Sequence, residues 1–110
     1  MHSPHKNVFK IYTKQKIDNG IGGFIEEDVK LFSIKGYLDW YTGQESDAYN
    51  AVLQDTTHIL LTDYRNDIST DYFVVDEASN RYDIILVDDP VTLNHHLEIY
   101  LKFIGEYNVK

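Results

Sequence analysis

The sequence predicts an all-β domain, a small antiparallel β-barrel or sandwich of about six to seven strands with one short α-helix. Three short β-rich runs with polar breaks occupy residues 57–90. Stretches near both ends of the chain alternate apolar and polar side chains, which is the period of a half-buried strand. Helical spacing of apolar residues is found at residues 42–53. With 110 residues, 43% hydrophobic and 14% aromatic, the chain suits one folded domain over residues 1–110.

The central stretch is the strongest β signal. Residues 59–62, 72–75 and 82–87 are dense in β-branched, aromatic and leucine side chains, and Asp, Asn, Ser and Arg collect between them. We interpret these runs as a meander of three strands. The last gap, residues 77–80, has the length of a hairpin connection, so the second and third runs are predicted to pair antiparallel.

The chain begins with a predicted flexible leader, residues 1–6, which shows no periodicity. Residues 7–17 then alternate and predict a first strand. Its inner face would carry four residues, Phe9, Ile11, Thr13 and Ile17, and its outer face would carry Tyr12 among lysines.

A glycine-rich turn follows at residues 18–23, with Gly20, Gly22 and Gly23 after an Asn-Gly pair. A phosphate-binding loop would need an adjacent Lys-Ser or Lys-Thr, which is missing, so a flexible hairpin tip is predicted. Residues 24–41 read as one long or broken strand. Gly36 is predicted to mark a bulge or bend in it, and Trp40 to anchor the core at its end.

Residues 42–53 predict the one short helix. Thr42 and Glu45 match a capping box, and Ala48, Tyr49, Val52 and Leu53 would form one apolar face. Such a short helix either covers the sheet or becomes ordered with a partner.

The C-terminal part contains a turn at residues 90–94 and a last strand at residues 97–103, which alternate cleanly. Residues 105–110 are predicted to be a tail.

Charge limits the classes of partner. The formal net charge is −8, from 10 Lys and Arg against 18 Asp and Glu, which disfavours specific binding to nucleic acid or to an acidic membrane. The basic residues concentrate in the first third of the chain, at Lys6, Lys10, Lys14, Lys16, Lys30 and Lys35. They form either a solvated strand face or a basic edge that docks on an acidic neighbour.

Targeting and cysteine signals are missing. The chain has no cysteine, so no disulfide framework or thiolate site is expected. Neither a signal-peptide core nor an apolar run of membrane-spanning length is present, which predicts a protein made in the cytoplasm with no membrane partner.

No pattern of catalytic residues stands out. Asp63, Asp67 and Asp71 do not follow the calcium-loop spacing, and adjacent His95 and His96 would face opposite sides of a strand. His58 reads as a sheet-face residue rather than a general base, and no serine has a nucleophile motif. No enzyme, cofactor or metal is therefore predicted, and the nine tyrosines favour binding to other proteins.

The order of segments resembles the phage head-tail joining family, the head-closure or stopper proteins that complete the head. The resemblance runs through V-F-K-I-Y with D-N-G-I-G-G, I-K-G-Y-L-D-W-Y, T-H-I-L-L-T-D-Y-R-N-D-I, and R-Y-D-I-I-L-V-D-D-P before N-H-H-L-E-I-Y-L. It covers residues 8–103, and its specificity lies in the order and spacing of these segments.

The resemblance implies a small β-barrel that forms a homo-oligomeric ring, typically a dodecamer, between a portal or adaptor protein and the tail proteins. Such a ring lies in the virion, is assembled in the host cytoplasm, closes the DNA channel and provides the tail attachment site, and DNA passes it without sequence-specific binding. Two alternatives remain: another connector part, such as a tail-completion protein, and a small-molecule-binding β-barrel. A metal-dependent hydrolase would need carboxylates and histidines that converge.

The resemblance also implies where contacts lie. The segment at residues 42–56 corresponds to the gate of the channel, although its helical pattern would suit an adaptor without a gate as well. Gly20, Gly22 and Gly23 correspond to a loop that contacts a neighbouring ring, and the turn of Asp63, Tyr64 and Arg65 is a candidate interface. The candidate gating and interface residues are Gln44, Glu45, Asp47, Tyr49 and Val52.

Overall fold

The computed structural model describes residues 6–41 and 55–108 and confirms the all-β prediction. The six strands of the described residues are β1 (Asn7–Asp18), β2 (Phe24–Trp40), β3 (His58–Asp63), β4 (Phe73–Val75), β5 (Asn80–Asp88) and β6 (His96–Glu106). A 3-10 turn at Pro90–Thr92 joins β5 to β6. The predicted helix at residues 42–53 lies outside the described ranges.

The strands close into a barrel in the order β1-β2-β3-β6-β5-β4, and all neighbours are antiparallel. The β4–β5 hairpin forms as predicted. The predicted meander is wrong in its first step, because β3 pairs with β2 and β6 rather than with β4. β4 has only three residues, and it pairs with β1 on one side and β5 on the other, so neither side is left for β3. The longer β6 forms six residue pairs with β3.

Alternating side chains from the strands fill the barrel. Fully buried side chains come from four strands and are those of Phe9, Ile11, Leu60, Val74, Ile99 and Leu101. Burying a side chain of this size stabilises the fold by about 1.5–3 kcal/mol. Phe103 continues the alternation of β6 but is 43% exposed, since the pairing of β6 with β3 ends at Leu101. In this part of the chain the interior of the barrel is therefore a packed core.

Tyr12 lies on the outer face of β1, as predicted, but it is buried there, next to a β-bulge in β2. The β1–β2 register passes from Ile11↔Phe32 to Tyr12↔Lys30, which leaves Leu31 as the extra residue. Ile11 points into the barrel and Tyr12 to the outside, where its ring stacks on Phe73 with centroids 5.4 Å apart. A second cluster thus lies on the outer surface of the barrel.

The C-terminal segment extends this second cluster and corrects the predicted tail. β6 continues to Glu106, and Tyr107 donates its backbone N–H to Ser79 O at 2.7 Å. The Tyr107 ring lies 5.4 Å from that of Tyr12, centroid to centroid. The chain is therefore anchored through Tyr107, because its apolar ring completes a cluster that would otherwise face water.

Trp40 does not anchor the core as predicted, since 61% of it is exposed. It stands at the end of β2, where one face of its indole packs on the ring of His58 at a centroid distance of 4.4 Å. The barrel interior at that level is already occupied by Leu60 and Leu101.

Gly36 permits a close approach of two strands rather than a bulge. A Cβ atom at this position would lie 2.4 Å from Leu61 O and 3.0 Å from Leu60 Cδ1. β2 and β3 therefore cannot keep their present spacing with any other residue at this position.

We predict that Gly36→Ala lowers the free energy of unfolding by about 1–3 kcal/mol, because the new methyl group forces a backbone carbonyl to move. Urea denaturation followed by circular dichroism measures the change. Ser33→Ala is the matched control, since Ser33 is an exposed residue of the same strand. Equal stability of Gly36→Ala and the wild type would contradict the close approach.

Candidate interaction surfaces

A two-stranded arm projects from the barrel. It consists of residues 13–18 of β1 and 24–29 of β2, paired from Thr13↔Val29 to Asp18↔Phe24. β4 pairs with β1 only as far as Tyr12, and β3 pairs with β2 only from Gly36 onwards. At about 3.4 Å per residue, six pairs extend about 20 Å, which accounts for much of the 50 Å longest dimension of the protein.

The tip of the arm is an ordered turn. Asp18 Oδ1 accepts a hydrogen bond from the Gly20 N–H, and Asn19 Oδ1 accepts from the N–H groups of Ile21 and Gly23. Gly20 and Gly22 have φ angles of 81° and 87°, a region that glycine enters without strain. The glycine loop lies at a hairpin tip, as the sequence predicts, and side-chain hydrogen bonds fix its shape.

Three large apolar side chains in and next to this turn are mostly exposed to solvent. Ile21 is 88% exposed, Phe24 71% and Ile25 52%. Exposed apolar groups gathered at the end of a projection are typical of a binding surface. Sequence reasoning missed them, because Phe24 and Ile25 read as the start of a buried strand; Ile21 between glycines was the one available signal.

The base of the arm is fixed to the barrel by charged and aromatic groups. Lys14 Nζ lies 3.1 Å from Asp28 Oδ1, and Tyr107 donates its hydroxyl hydrogen to Asp28 Oδ2 at 2.8 Å. Burial tends to raise the pKa of Asp28, but the hydrogen bonds from Tyr107 and Lys14 outweigh burial and lower it. Burial and the bond to Asp28 raise the pKa of Tyr107 to about 12. Together with Tyr12, these residues line a cleft of about 420 Å³.

The candidate interface turn after β3 packs against β2. Arg65 donates two hydrogen bonds to Asp67, at 2.6 and 2.8 Å, and its guanidinium lies 4.2 Å above the centre of the Phe32 ring. The bonds from Arg65 lower the pKa of Asp67. Tyr64 is 38% exposed beside this pair. The turn is thus held rigidly with one aromatic ring available for contact.

The structure does not bring the predicted site residues into one place. The turn after β3 contacts Phe32 through Arg65, whereas Phe24 lies at the tip of the arm. Phe32 is eight residues along β2 from Phe24, or roughly 27 Å. The predicted gating residues, Gln44, Glu45, Asp47, Tyr49 and Val52, lie outside the described ranges.

His58 lies opposite Trp40, at the end of the barrel where β2 ends. It is 9% exposed, and its ring contacts those of Trp40, Tyr82 and Phe103 at centroid distances of 4.4, 5.2 and 6.4 Å. Its Nδ1 lies 2.8 Å from Thr57 Oγ1, which accepts a hydrogen bond from the Phe103 N–H. Burial lowers the pKa of His58 below its ordinary value of 6.5. The aromatic surroundings therefore favour the neutral imidazole.

We predict that the protein loses stability as the pH falls below about 6.5, because the unfolded chain takes up the His58 proton before the folded chain does. The contribution is complete above that pH and disappears as the pH falls through the lower folded pKa. Melting temperatures from pH 7.5 to 5 should fall more steeply for the wild type than for His58→Gln. Exposed His95→Gln provides the control, and a slope unchanged in His58→Gln would contradict the assignment.

The described residues include no helix long and apolar enough to cross a membrane.

Comparison with known proteins gives the family. The family model described as phage head completion protein matches residues 6–102. The chain belongs to this family. The resemblance to the head-tail joining proteins is confirmed, and with it a role in completing the phage head. No curated protein matches the chain.

A solved structure has the same fold. The solution structure of protein SF1141 from Shigella flexneri 2a superposes with a TM-score of 0.73. The alignment covers 88% of this chain and 90% of that one, at 17% sequence identity. At this identity the likeness shows the fold alone.

Membership of the phage head completion family indicates which proteins the chain interacts with and where it is located. Proteins of the family are structural parts of the phage particle, so the chain interacts with other head and tail proteins, and the virion is its location.

Proposed function

We propose that this protein forms a ring between the portal or its adaptor and the tail, where it closes the DNA channel and provides the tail attachment site. The observation that carries the proposal is the match of the phage head completion family to residues 6–102, nearly the whole chain. The following features of the molecule support it.

The tip of the arm suits a contact with the neighbouring ring. It projects about 20 Å beyond the last barrel pairing, and its turn is fixed by Asp18 and Asn19. Ile21 and Phe24 expose apolar surface that a partner would remove from water, at roughly 25 cal/mol per Å². The ordered turn lowers the entropy lost on docking.

The acidic composition suits a conduit for DNA. A net charge of −8 repels phosphate, so DNA would pass the ring without being held by its wall. The gate itself we assign to residues 42–56, from the sequence resemblance.

We predict that Ile21→Asp with Phe24→Asp leaves the fold intact but abolishes head completion, because a charged tip cannot enter an apolar contact without losing its hydration. The measurement is the fraction of DNA-filled heads that carry tails, counted by electron microscopy in lysates of the phage or prophage that encodes the variant. A fall of at least tenfold is expected.

Leu93→Asp is the matched control for the tip variant, since Leu93 is 70% exposed in the turn between β5 and β6. It should complete heads as the wild type does. If the tip variant completes heads as the wild type does, the tip of the arm does not contact the neighbouring ring. If both variants complete heads equally poorly, the cause is a general effect of added charge.

A second prediction concerns the gate. Tyr49→Ala with Val52→Ala should leave the isolated domain as stable as the wild type, while DNA retention or assembly is impaired, because these side chains form the apolar face of the predicted helix. Thermal unfolding and the DNA content of purified heads measure the two effects. A large loss of stability in the free domain would show instead that the segment belongs to the core.

A further inference from the structure

The two outer edges of the arm carry opposite charges. The β1 strand has Lys14 and Lys16, with Asp18 at its end next to the tip, and the β2 strand has Glu26, Glu27 and Asp28. No third strand pairs with residues 13–18 or 24–29 among the parts of the chain that the structure describes. Most of these side chains are exposed. The arm therefore offers one basic and one acidic strand edge to its surroundings.

An open strand edge presents unpaired N–H and C=O groups that pair readily with another strand. Side-chain charge then decides which edges meet, because like charges on directly opposite residues are destabilising and opposite charges are favourable. Pairing of two β1 edges would place lysines beside lysines. Pairing of two β2 edges would gather six carboxylates. A basic edge beside an acidic edge is the one combination that the charges favour.

We propose that the arms of neighbouring copies pair edge to edge, with β1 of one copy beside β2 of the next, so that a continuous antiparallel sheet follows the ring. This deepens the proposed ring and rests on it by naming the surface that joins its copies. Strand directions alternate within each arm, so the order β1-β2-β1-β2 stays antiparallel from copy to copy. The contact is head-to-tail, which is the type that closes into rings.

The register within the arm shows which groups would meet. Lys14 lies opposite Asp28, Lys16 opposite Glu26, and Ile17 opposite Ile25. The same register between copies would give each of these lysines a carboxylate on both sides. It would also cover Ile25, which is 52% exposed in the single chain. A second copy of this chain matches the edge in length, charge and apolar position, because the two edges belong to one hairpin.

The test uses the full-length chain with Lys16→Glu and with Glu26→Lys, measured by sedimentation velocity over a range of concentrations. In each single variant the groups at positions 16 and 26 of neighbouring copies have the same charge, two carboxylates in Lys16→Glu and two ammonium groups in Glu26→Lys. Each should therefore lose the species larger than a monomer that the wild type forms. A mixture of the two variants should recover them, since the carboxylate at position 16 of one variant then meets the ammonium group at position 26 of the other. The double variant Lys16→Glu with Glu26→Lys should form these larger species without a second protein.

The mixture separates edge pairing from damage to the arm, because mixing does not restore the Lys16–Glu26 pair within either chain. Recovery in the double variant but not in the mixture would overturn the inference. Circular dichroism confirms that each variant is folded.

Cross-linking gives an independent measurement, since the chain has no cysteine of its own. Gln15→Cys chains mixed with Glu27→Cys chains should form disulfide-linked dimers under mild oxidation, at least tenfold more than either chain alone. Equal linkage of Gln15→Cys chains with one another would show symmetric pairing and overturn the head-to-tail contact.

The two proposals fail in different ways. The arm pairing is overturned if the wild type is monomeric at all concentrations and the two cysteine variants form no mixed disulfide. It is also overturned if both single charge variants still form rings. Neither result contradicts the proposed head closure. Phage heads that retain DNA and join tails when the gene is deleted overturn head closure itself.

Discussion

The pairing of β1 with β2 is the interaction on which the rest of the structure depends. The two strands form twelve residue pairs from the barrel to the tip of the arm, and the bulge at Leu31 is the one irregularity in their register. Below the bulge the two strands are wall segments of the barrel; above it they continue as the arm. A bulge increases the local twist, and here it stands at the boundary between the two parts. Next to it, the consecutive residues Ile11 and Tyr12 are both buried, one in each cluster.

Closure of the barrel depends on the short strand β4, whose side chains are packed on both faces. β4 has three residues, yet it connects β1 to β5 and leaves the barrel without an edge. Its outer side chains are covered by Tyr107, whose ring lies 5.6 Å from that of Phe73, and by Arg81, whose guanidinium lies 3.8 Å above the same ring. Because a closed barrel has no unpaired strands, open edges in the described part of the chain concentrate on the arm.

Local patterns predicted the strands, and long-range packing decided the rest. Alternation identified β1 and β6, since it depends on side chains two positions apart. The partner of β3 could not be read in this way, because its choice of β6 depends on residues nearly forty positions away. The burial of Tyr12 and Tyr107 could not be predicted for the same reason, since it depends on their contacts with each other and with Phe73. The glycine tip was found through turn chemistry, whereas the exposure of Phe24 follows from the arm leaving the barrel.

The charges of the arm reconcile two opposing requirements. A hairpin that joins copies must have open edges, but open edges in a free protein invite uncontrolled pairing. Lysines on one edge and carboxylates on the other disfavour every symmetric encounter, and the net charge of −8 adds a general repulsion. An exposed ion pair is worth about 0.2–1 kcal/mol, too little to hold two chains together. In the proposed ring every copy would make the contact on both sides, so a contact too weak to hold two chains would suffice once the ring closes and would stay reversible before it does.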